Sequence, residues 1–144
     1  MIGIVVVTHG QLANELVSVA EMIVGEIPNV TAISIGWHEN PDDAQKEIEE
    51  AIGGVEKGSG TVVLTDMFGG TPSNLSLTFL EKDRVEIVTG VNLPMLIKLV
   101  SLREQEDIDL LEVARQTCDQ GKENIFQASD LLSAKGKGPE DSGG

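Results

Sequence analysis

The sequence predicts an α/β fold: a doubly wound, mostly parallel sheet in the strand order 2-1-3-4. Apolar, β-branched runs at 2–7 and 61–65 lack polar alternation, which is typical of strands covered on both faces. Segments with apolar residues at helical spacing lie between such runs. Strands that alternate with helices along a chain favour a parallel sheet with right-handed crossovers.

The first half of the chain contains two strand and helix units. The strand at 2–7 is followed by apolar residues at helical spacing over 11–24, and Gly25 ends that helix. A second apolar run, 30–35, predicts the next strand. A helix is expected over 41–52, because a proline and two aspartates suit its first turn and a Gly-Gly pair follows it.

The second half repeats this alternation. A buried strand is predicted at 61–65 and a short one at 85–88, with an apolar helical segment from 75 to 80 between them. In the stretch NLPMLIKLV, Asn92 is expected to cap a helix. The segment 107–118 is amphipathic and predicts a further helix.

The composition of the 144-residue chain suits one domain and excludes several classes of partner. Ten Lys and Arg against 24 Asp and Glu give a formal net charge of −14, which repels nucleic acid and anionic lipid. The single Cys118 excludes an internal disulfide and a cysteine metal cage. No run reaches the roughly 20 apolar residues of a membrane span. We therefore expect a cytoplasmic protein that binds no nucleic acid, metal or cofactor.

His9 and Asp66 follow two strands that the predicted order places side by side. His9 comes after the first apolar run, and Asp66 comes directly after the third strand. In open parallel sheets, ligands bind beyond the carboxyl ends of the strands, where the strand order reverses. The sequence thus predicts that this histidine and this aspartate face each other at that point.

The segment GGTPSN, which follows the third strand, predicts a glycine loop that leads into a helix. Thr71 is expected as the N-cap and Pro72 as the first helical residue. The free N–H groups of a helix start attract anions, and Gly69 and Gly70 allow close approach of the backbone. The hydroxyls of Thr71 and Ser73 add donors. We therefore expect this loop to bind phosphate.

A histidine beside a carboxylate has chemistry that suits phosphoryl transfer. Neutral imidazole is a nucleophile toward phosphorus when a carboxylate holds the proton on its other nitrogen. Asp66 is expected to do this and to stabilise the cationic ring of a phosphohistidine. Lys57, the basic residue nearest to Asp66 in the sequence, precedes the third strand and is expected at its opposite end. Neutral donors alone orient a phosphoryl group without holding it tightly, which favours a carrier over a phosphatase.

Three blocks of the sequence resemble the IIA component of the mannose family of the bacterial sugar phosphotransferase system (PTS). They are GIVVVTHGQLANELVSVAEMIVGE, VVLTDMFGGTPSN and VTGVNLPML, in the family order and spacing. The resemblance covers residues 1–128, the expected IIA domain. It implies a phosphotransferase subunit in which His9 accepts phosphate from phospho-HPr and passes it to IIB. By the same resemblance, Asp66 orients His9, Gly69–Thr71 surround the phosphoryl group, and Phe68 shapes a rim that faces the partner.

The resemblance also implies a homodimer. A C-terminal strand, placed at 123–128, is expected to cross to the partner's sheet and to run antiparallel there, where it would cover an open sheet edge. Residues 129–144 are expected to form an extension that is disordered from about 134. Association with the membrane is expected only indirectly, through the IIC and IID components.

The sequence leaves three alternative functions open. They are a regulatory phosphoprotein without a transport partner, the related carrier of the phosphoenolpyruvate-dependent dihydroxyacetone kinase, and a histidine phosphatase, whose RHG motif is similar to THG at 8–10. The phosphatase requires an arginine set and a second catalytic histidine, and neither is visible near the expected site. His38 is expected to be a solvated loop residue, and Trp37 is expected to pack on the helix that follows it.

Overall fold

The computed structural model describes residues 1–136 of the chain. The strands are β1 (Gly3–His9), β2 (Val30–Ile35), β3 (Thr61–Thr65) and β4 (Val85–Thr89). The helices are α1 (Leu12–Val24), α2 (Pro41–Val55), α3 (Thr71–Leu77), α4 (Leu93–Leu102), α5 (Leu110–Glu123) and α6 (Ala128–Gly136). None of the helices in this part of the chain is long and apolar enough to cross a membrane.

The four strands form one parallel sheet in the order β2-β1-β3-β4, which confirms the predicted fold class. In the register of β1 and β3, Val7 lies opposite Thr65, the last residue of β3. β1 continues for two more residues and pairs with β2 up to His9 opposite Ile35. The residue that follows β3 therefore lies beside the last two residues of β1, at the carboxyl edge of the sheet.

Helices cover both faces of the sheet. On one face, alternate strand residues such as Ile4 and Leu64 pack against α1, α4 and α5. On the other face, Val5 and Val63 pack against α2 and α3. Each buried Val, Leu or Ile contributes about 1.5–3 kcal/mol relative to an exposed one. This packing on two sides fixes the strands and with them the positions of their carboxyl ends.

Several helix bounds differ from the predicted ones, for reasons of packing and capping. The helix predicted to end at Ile52 runs on through the Gly-Gly pair to Val55, which is buried and lies against Gly3. The burial of Val55, worth about 1.5–3 kcal/mol, offsets the loss of about 1 kcal/mol that each of the two glycines causes within a helix. α5 begins later than predicted because the Asp109 side chain caps it, accepting from the Glu112 N–H at 2.7 Å.

The predicted exchanged strand is not formed within the described chain. Glu123 ends α5, and α6 begins at Ala128, so only 124–127 lie outside a helix. A strand that pairs with a second subunit has no ladder partner in one chain, and the exchange stays a prediction. α6 also includes residues 134–136, where disorder was expected to begin, and the rest of that predicted tail lies outside the described residues.

Candidate functional site

His9 and Asp66 are in direct contact at the carboxyl ends of β1 and β3. The ring Nδ1 of His9 lies 2.7 Å from Asp66 Oδ2, and the backbone N–H of His9 donates to the same oxygen at 2.9 Å. The next N–H, that of Gly10, donates to the carbonyl of Ile35 at 2.9 Å. The backbone and the ring of His9 are thus both fixed, and the structure brings together the two residues that the sequence placed at neighbouring strand ends.

The Asp66 carboxyl is ionised more readily than an ordinary aspartate. Its partial burial, at 14% side-chain exposure, raises the pKa. The hydrogen bonds donated by the His9 backbone and ring outweigh this effect, so that the pKa of Asp66 is lowered overall. A third donor, the N–H of Met67, reaches Oδ1 at 3.0 Å. An ionised carboxylate can only accept, so the proton of the neutral His9 ring lies on Nδ1 and Nε2 has a free lone pair.

The loop after β3 lies against the ring edge of His9 that includes Nε2. A Cβ atom at Gly70 would be 2.7 Å from Cε1 and 3.2 Å from Nε2 of His9, so this close approach requires a glycine. Gly69 has a φ of +91°, in the left-handed region that also favours glycine. The two glycines therefore allow the loop backbone to contact the reactive edge of the ring.

The start of α3 differs from the predicted one by one residue. Gly70, not Thr71, is the N-cap, with φ −85° and ψ 169°, and its carbonyl accepts from the Asn74 N–H at 2.8 Å. Thr71 is the first helical residue, makes no capping hydrogen bond and is exposed. The prediction of Thr71 as the cap is wrong because the extended glycine already supplies the turn into the helix. The Thr71 hydroxyl is consequently free to face a ligand.

Ser73 lies deeper in the structure than the rest of the loop. Its side chain is fully buried, whereas Gly69 and Thr71 are exposed. Its Oγ makes no hydrogen bond to any group in residues 1–136. Of the four residues predicted to bind phosphate, Gly70 and Thr71 therefore lie next to His9 and Gly69 is exposed, whereas Ser73 is buried.

An open cavity of about 440 Å³ adjoins His9. Its walls come from the ends of β1 and β2 and the starts of α2 and α3, and are formed by His9, Gly10, Ile35, Gly36, Trp37, Glu39, Pro41 and Thr71. Trp37 is 92% exposed, so the prediction that it packs on α2 is wrong. The sequence does not indicate that Trp37 is part of the site, since a lone aromatic residue in a polar loop has no periodicity that would place it.

This arrangement suits a reversible covalent reaction at His9. The His9 side chain is half exposed, and Nε2 is a nucleophile whose opposite ring nitrogen is held by an anion, which also stabilises a positive charge on the ring. The residues that line the cavity include no Lys or Arg. An anion at Nε2 would therefore meet backbone and hydroxyl donors but no strong cationic clamp.

Proteins with similar sequences include components of the PTS. Residues 3–115 match the family model EIIA-man, described as PTS system fructose IIA component. The PTS system mannose-specific EIIAB component of Escherichia coli (strain K12) is 31% identical over 125 residues, 86% of this chain and 38% of that protein. This chain thus spans well under half of that relative's length. The PTS system fructose-specific EIIA component of Bacillus subtilis (strain 168) is 33% identical over 105 residues, 72% of each chain.

Solved structures with the same fold include two IIA proteins of this system. The phosphotransferase system component EIIA from Streptococcus agalactiae has a TM-score of 0.80 at 26% identity, covering 90% of this chain and 99% of that one. The PTS IIA protein associated with the fucose utilization operon from Streptococcus pneumoniae has a TM-score of 0.78 at 31% identity, covering 90% and 95%. Since the family match also spans most of the sequence, this chain belongs to the EIIA-man family of phosphotransferase system IIA components.

Proposed function

We propose that this chain is a phosphoryl carrier in which His9 accepts a phosphoryl group from phospho-HPr and passes it to a IIB protein or domain. The observation that supports this most strongly is the 2.7 Å contact between His9 Nδ1 and Asp66 Oδ2. It holds one ring nitrogen and leaves the other as the nucleophile. In this role the protein works in the cytoplasm and meets the membrane only through the IIC and IID components.

The transfer exchanges one P–N bond for another. The lone pair of His9 Nε2 attacks phosphorus, and the electron pair of the breaking bond returns to the donor's nitrogen. Nδ1 keeps its proton, so the His9 ring becomes cationic, and the ionised Asp66 carboxylate stabilises it. Attack on the same phosphorus by a nucleophile of IIB restores the neutral ring.

The loop after β3 surrounds the phosphoryl group in this proposal. Gly69 and Gly70 allow the backbone to reach the ring edge, and the exposed Thr71 hydroxyl lies on the wall of the same cavity as His9. Ser73 has a buried hydroxyl that makes no hydrogen bond within residues 1–136, so its donor is still available to the phosphoryl group in this proposal. Such neutral contacts, worth about 0.5–1.5 kcal/mol each, orient the group but let it leave.

The outer edge of β4 supports the proposed strand exchange between two subunits. Within residues 1–136, β4 pairs along its length with β3 alone, apart from one bridge to Glu81. A groove of about 450 Å³ runs beside that edge, between β4 and α5. The segment proposed to cross, 123–128, includes the exposed apolar residues Ile125 and Phe126. A partner's strand laid along β4 would pair its free edge and bury those side chains.

The carrier function is tested by phosphorylation of the purified chain. Incubation with phosphoenolpyruvate, enzyme I and HPr is expected to give a stoichiometric, acid-labile phosphorylated form. His9→Ala is expected to abolish it. His38→Ala removes the other of the two histidines and is the matched control, which is expected to be labelled as the wild type is. Equal labelling of His9→Ala and wild type would contradict the proposal.

A further inference from the structure

Two of the four aromatic residues of this chain are exposed in segments that adjoin the candidate site. The chain has one Trp, three Phe and no Tyr. Trp37 is 92% exposed and Phe68 is 73% exposed. Trp37 lines the cavity that includes His9, and Phe68 lies in the loop between Asp66 and Gly70. These two of the four aromatic side chains are therefore exposed and do not contribute to the core, and one of them, Trp37, shares a cavity with the phosphoacceptor.

Trp37 lies in a turn whose two ends, Gly36 and Glu39, are joined by two hydrogen bonds. The Glu39 N–H donates to the Gly36 carbonyl at 3.2 Å, and the Glu39 carboxylate accepts from the Gly36 N–H at 3.0 Å. Asn40 then caps α2, accepting from the Asp42 N–H at 2.8 Å. A side chain presented by such a closed turn loses little further backbone freedom when it is bound, which favours a role in recognition.

From these observations we propose that Trp37 is a docking residue for the phosphoryl-donor protein and sets this chain's affinity for that partner. The inference rests on the proposed carrier function. Direct transfer requires the partner's reactive nitrogen to come within bonding reach of His9 Nε2. Because Trp37 and His9 line one cavity, a protein that reaches Nε2 also covers the indole. Trp is the residue type most enriched among the energetic centres of protein interfaces.

The charges around the cavity indicate the chemistry of the partner's surface. Glu39 is part of the cavity wall, and Asp42 and Asp43 follow Pro41 in the first turn of α2. No Lys or Arg is among the lining residues. The partner surface that fits is therefore one that presents apolar side chains to Trp37 and basic side chains to this acidic rim.

The test compares the kinetics of transfer from phospho-HPr to the full chain and to Trp37→Ala. We expect the KM for phospho-HPr to rise by about tenfold, as loss of a hot-spot side chain would do, while kcat changes by less than about twofold. Trp37→Phe keeps an aromatic surface and is expected to restore most of the affinity. Leu80→Ala is the matched control, because Leu80 is exposed but lies between α3 and β4, near the amino ends of the strands.

Intrinsic fluorescence gives a second readout, since Trp37 is the only Trp and the chain has no Tyr. Unphosphorylated HPr without Trp is expected to shift the emission to shorter wavelength in a saturable way. An unchanged KM in Trp37→Ala, with His9 still labelled, would overturn the docking role and leave the carrier function intact. A wild type that phospho-HPr does not label at all would refute the carrier function instead. A Trp37→Ala protein that loses self-association would assign Trp37 to contact between copies, which also overturns the proposal.

Discussion

Asp66 Oδ2 accepts two hydrogen bonds from the same residue, one from the His9 backbone N–H at 2.9 Å and one from the His9 ring at 2.7 Å. The carboxylate thereby joins the ends of β1 and β3 and determines which ring nitrogen is the nucleophile. Asp66 therefore contributes both to the stability of the fold and to the reactivity of His9. Variants of either residue are expected to change both properties.

Asp66→Asn is expected to slow the phosphorylation of His9 by about 100-fold or more, as loss of a proton-positioning group does. An amide can donate to Nδ1, which favours the tautomer with the proton on Nε2 and removes the nucleophile. Rapid-quench measurement of transfer from phospho-HPr gives the rate. Asp83→Asn is the control, because Asp83 precedes β4 and its φ of +64° suits Asn equally well. A wild-type rate in Asp66→Asn would contradict this role.

The stability difference between wild type and Asp66→Asn is expected to shrink in acid. The pKa of Asp66 is lowered from its ordinary value of 3.8, so the ionised form stabilises the fold at pH values above about 4. That contribution is lost as the pH falls through the native pKa. Urea unfolding at pH 7, 5 and 3 measures the free energies of both proteins. A difference in unfolding free energy that stays constant, or that grows as the pH falls, would contradict this prediction.

Gly70→Ala is expected to reduce transfer strongly without unfolding the protein. The added Cβ would lie 2.7 Å from His9 Cε1, so the ring must move away from the position in which Asp66 holds it. Gly53→Ala is the same change at an exposed site within α2 where a Cβ meets nothing within 4 Å. That control is expected to gain about 0.5–1 kcal/mol of unfolding free energy and to keep full activity. Full activity in Gly70→Ala would contradict this prediction, because it would show that the loop moves and the His9 ring keeps its position.

Ser73→Ala is expected to shorten the half-life of the phosphorylated protein without destabilising the unphosphorylated one. The Ser73 hydroxyl is buried and makes no hydrogen bond within the described residues, so its removal relieves a cost of about 1 kcal/mol before phosphorylation. The decay of the phosphorylated form at pH 7 and urea unfolding give the two quantities. An unchanged half-life would assign Ser73 to packing alone.

The double change of Ile125 and Phe126 to Asp is expected to convert a dimer into a monomer. Both side chains are exposed in one chain, and both lie in the segment proposed to pair with the partner's β4. Leu132→Asp, at an exposed position of α6, is the matched control. Sedimentation velocity measures the masses. A wild-type monomer, or a double variant that stays dimeric, would refute the strand exchange.

The sequence was sufficient to predict the parallel sheet and the pairing of His9 with Asp66 at the ends of its two central strands. The apolar runs at 2–7 and 61–65 predict buried strands, and parallel strands bring His9 and Asp66 to one edge whatever the loops do. Local capping was harder to predict, because Thr71 and Gly70 are both residue types that suit an N-cap, and the extended conformation that makes Gly70 the cap is not visible in the sequence. Trp37 was misplaced because its turn is closed by hydrogen bonds to Glu39, which composition and periodicity do not indicate.

The attachment site of phosphorus tests the central claim most directly. The chain, phosphorylated by phosphoenolpyruvate, enzyme I and HPr, can be examined by NMR of ¹⁵N-labelled imidazole rings, which distinguishes Nδ1 from Nε2 adducts. Since Asp66 holds Nδ1, we predict a single adduct on Nε2 of His9. Phosphorus on Nδ1 of His9, or on His38, would contradict the account.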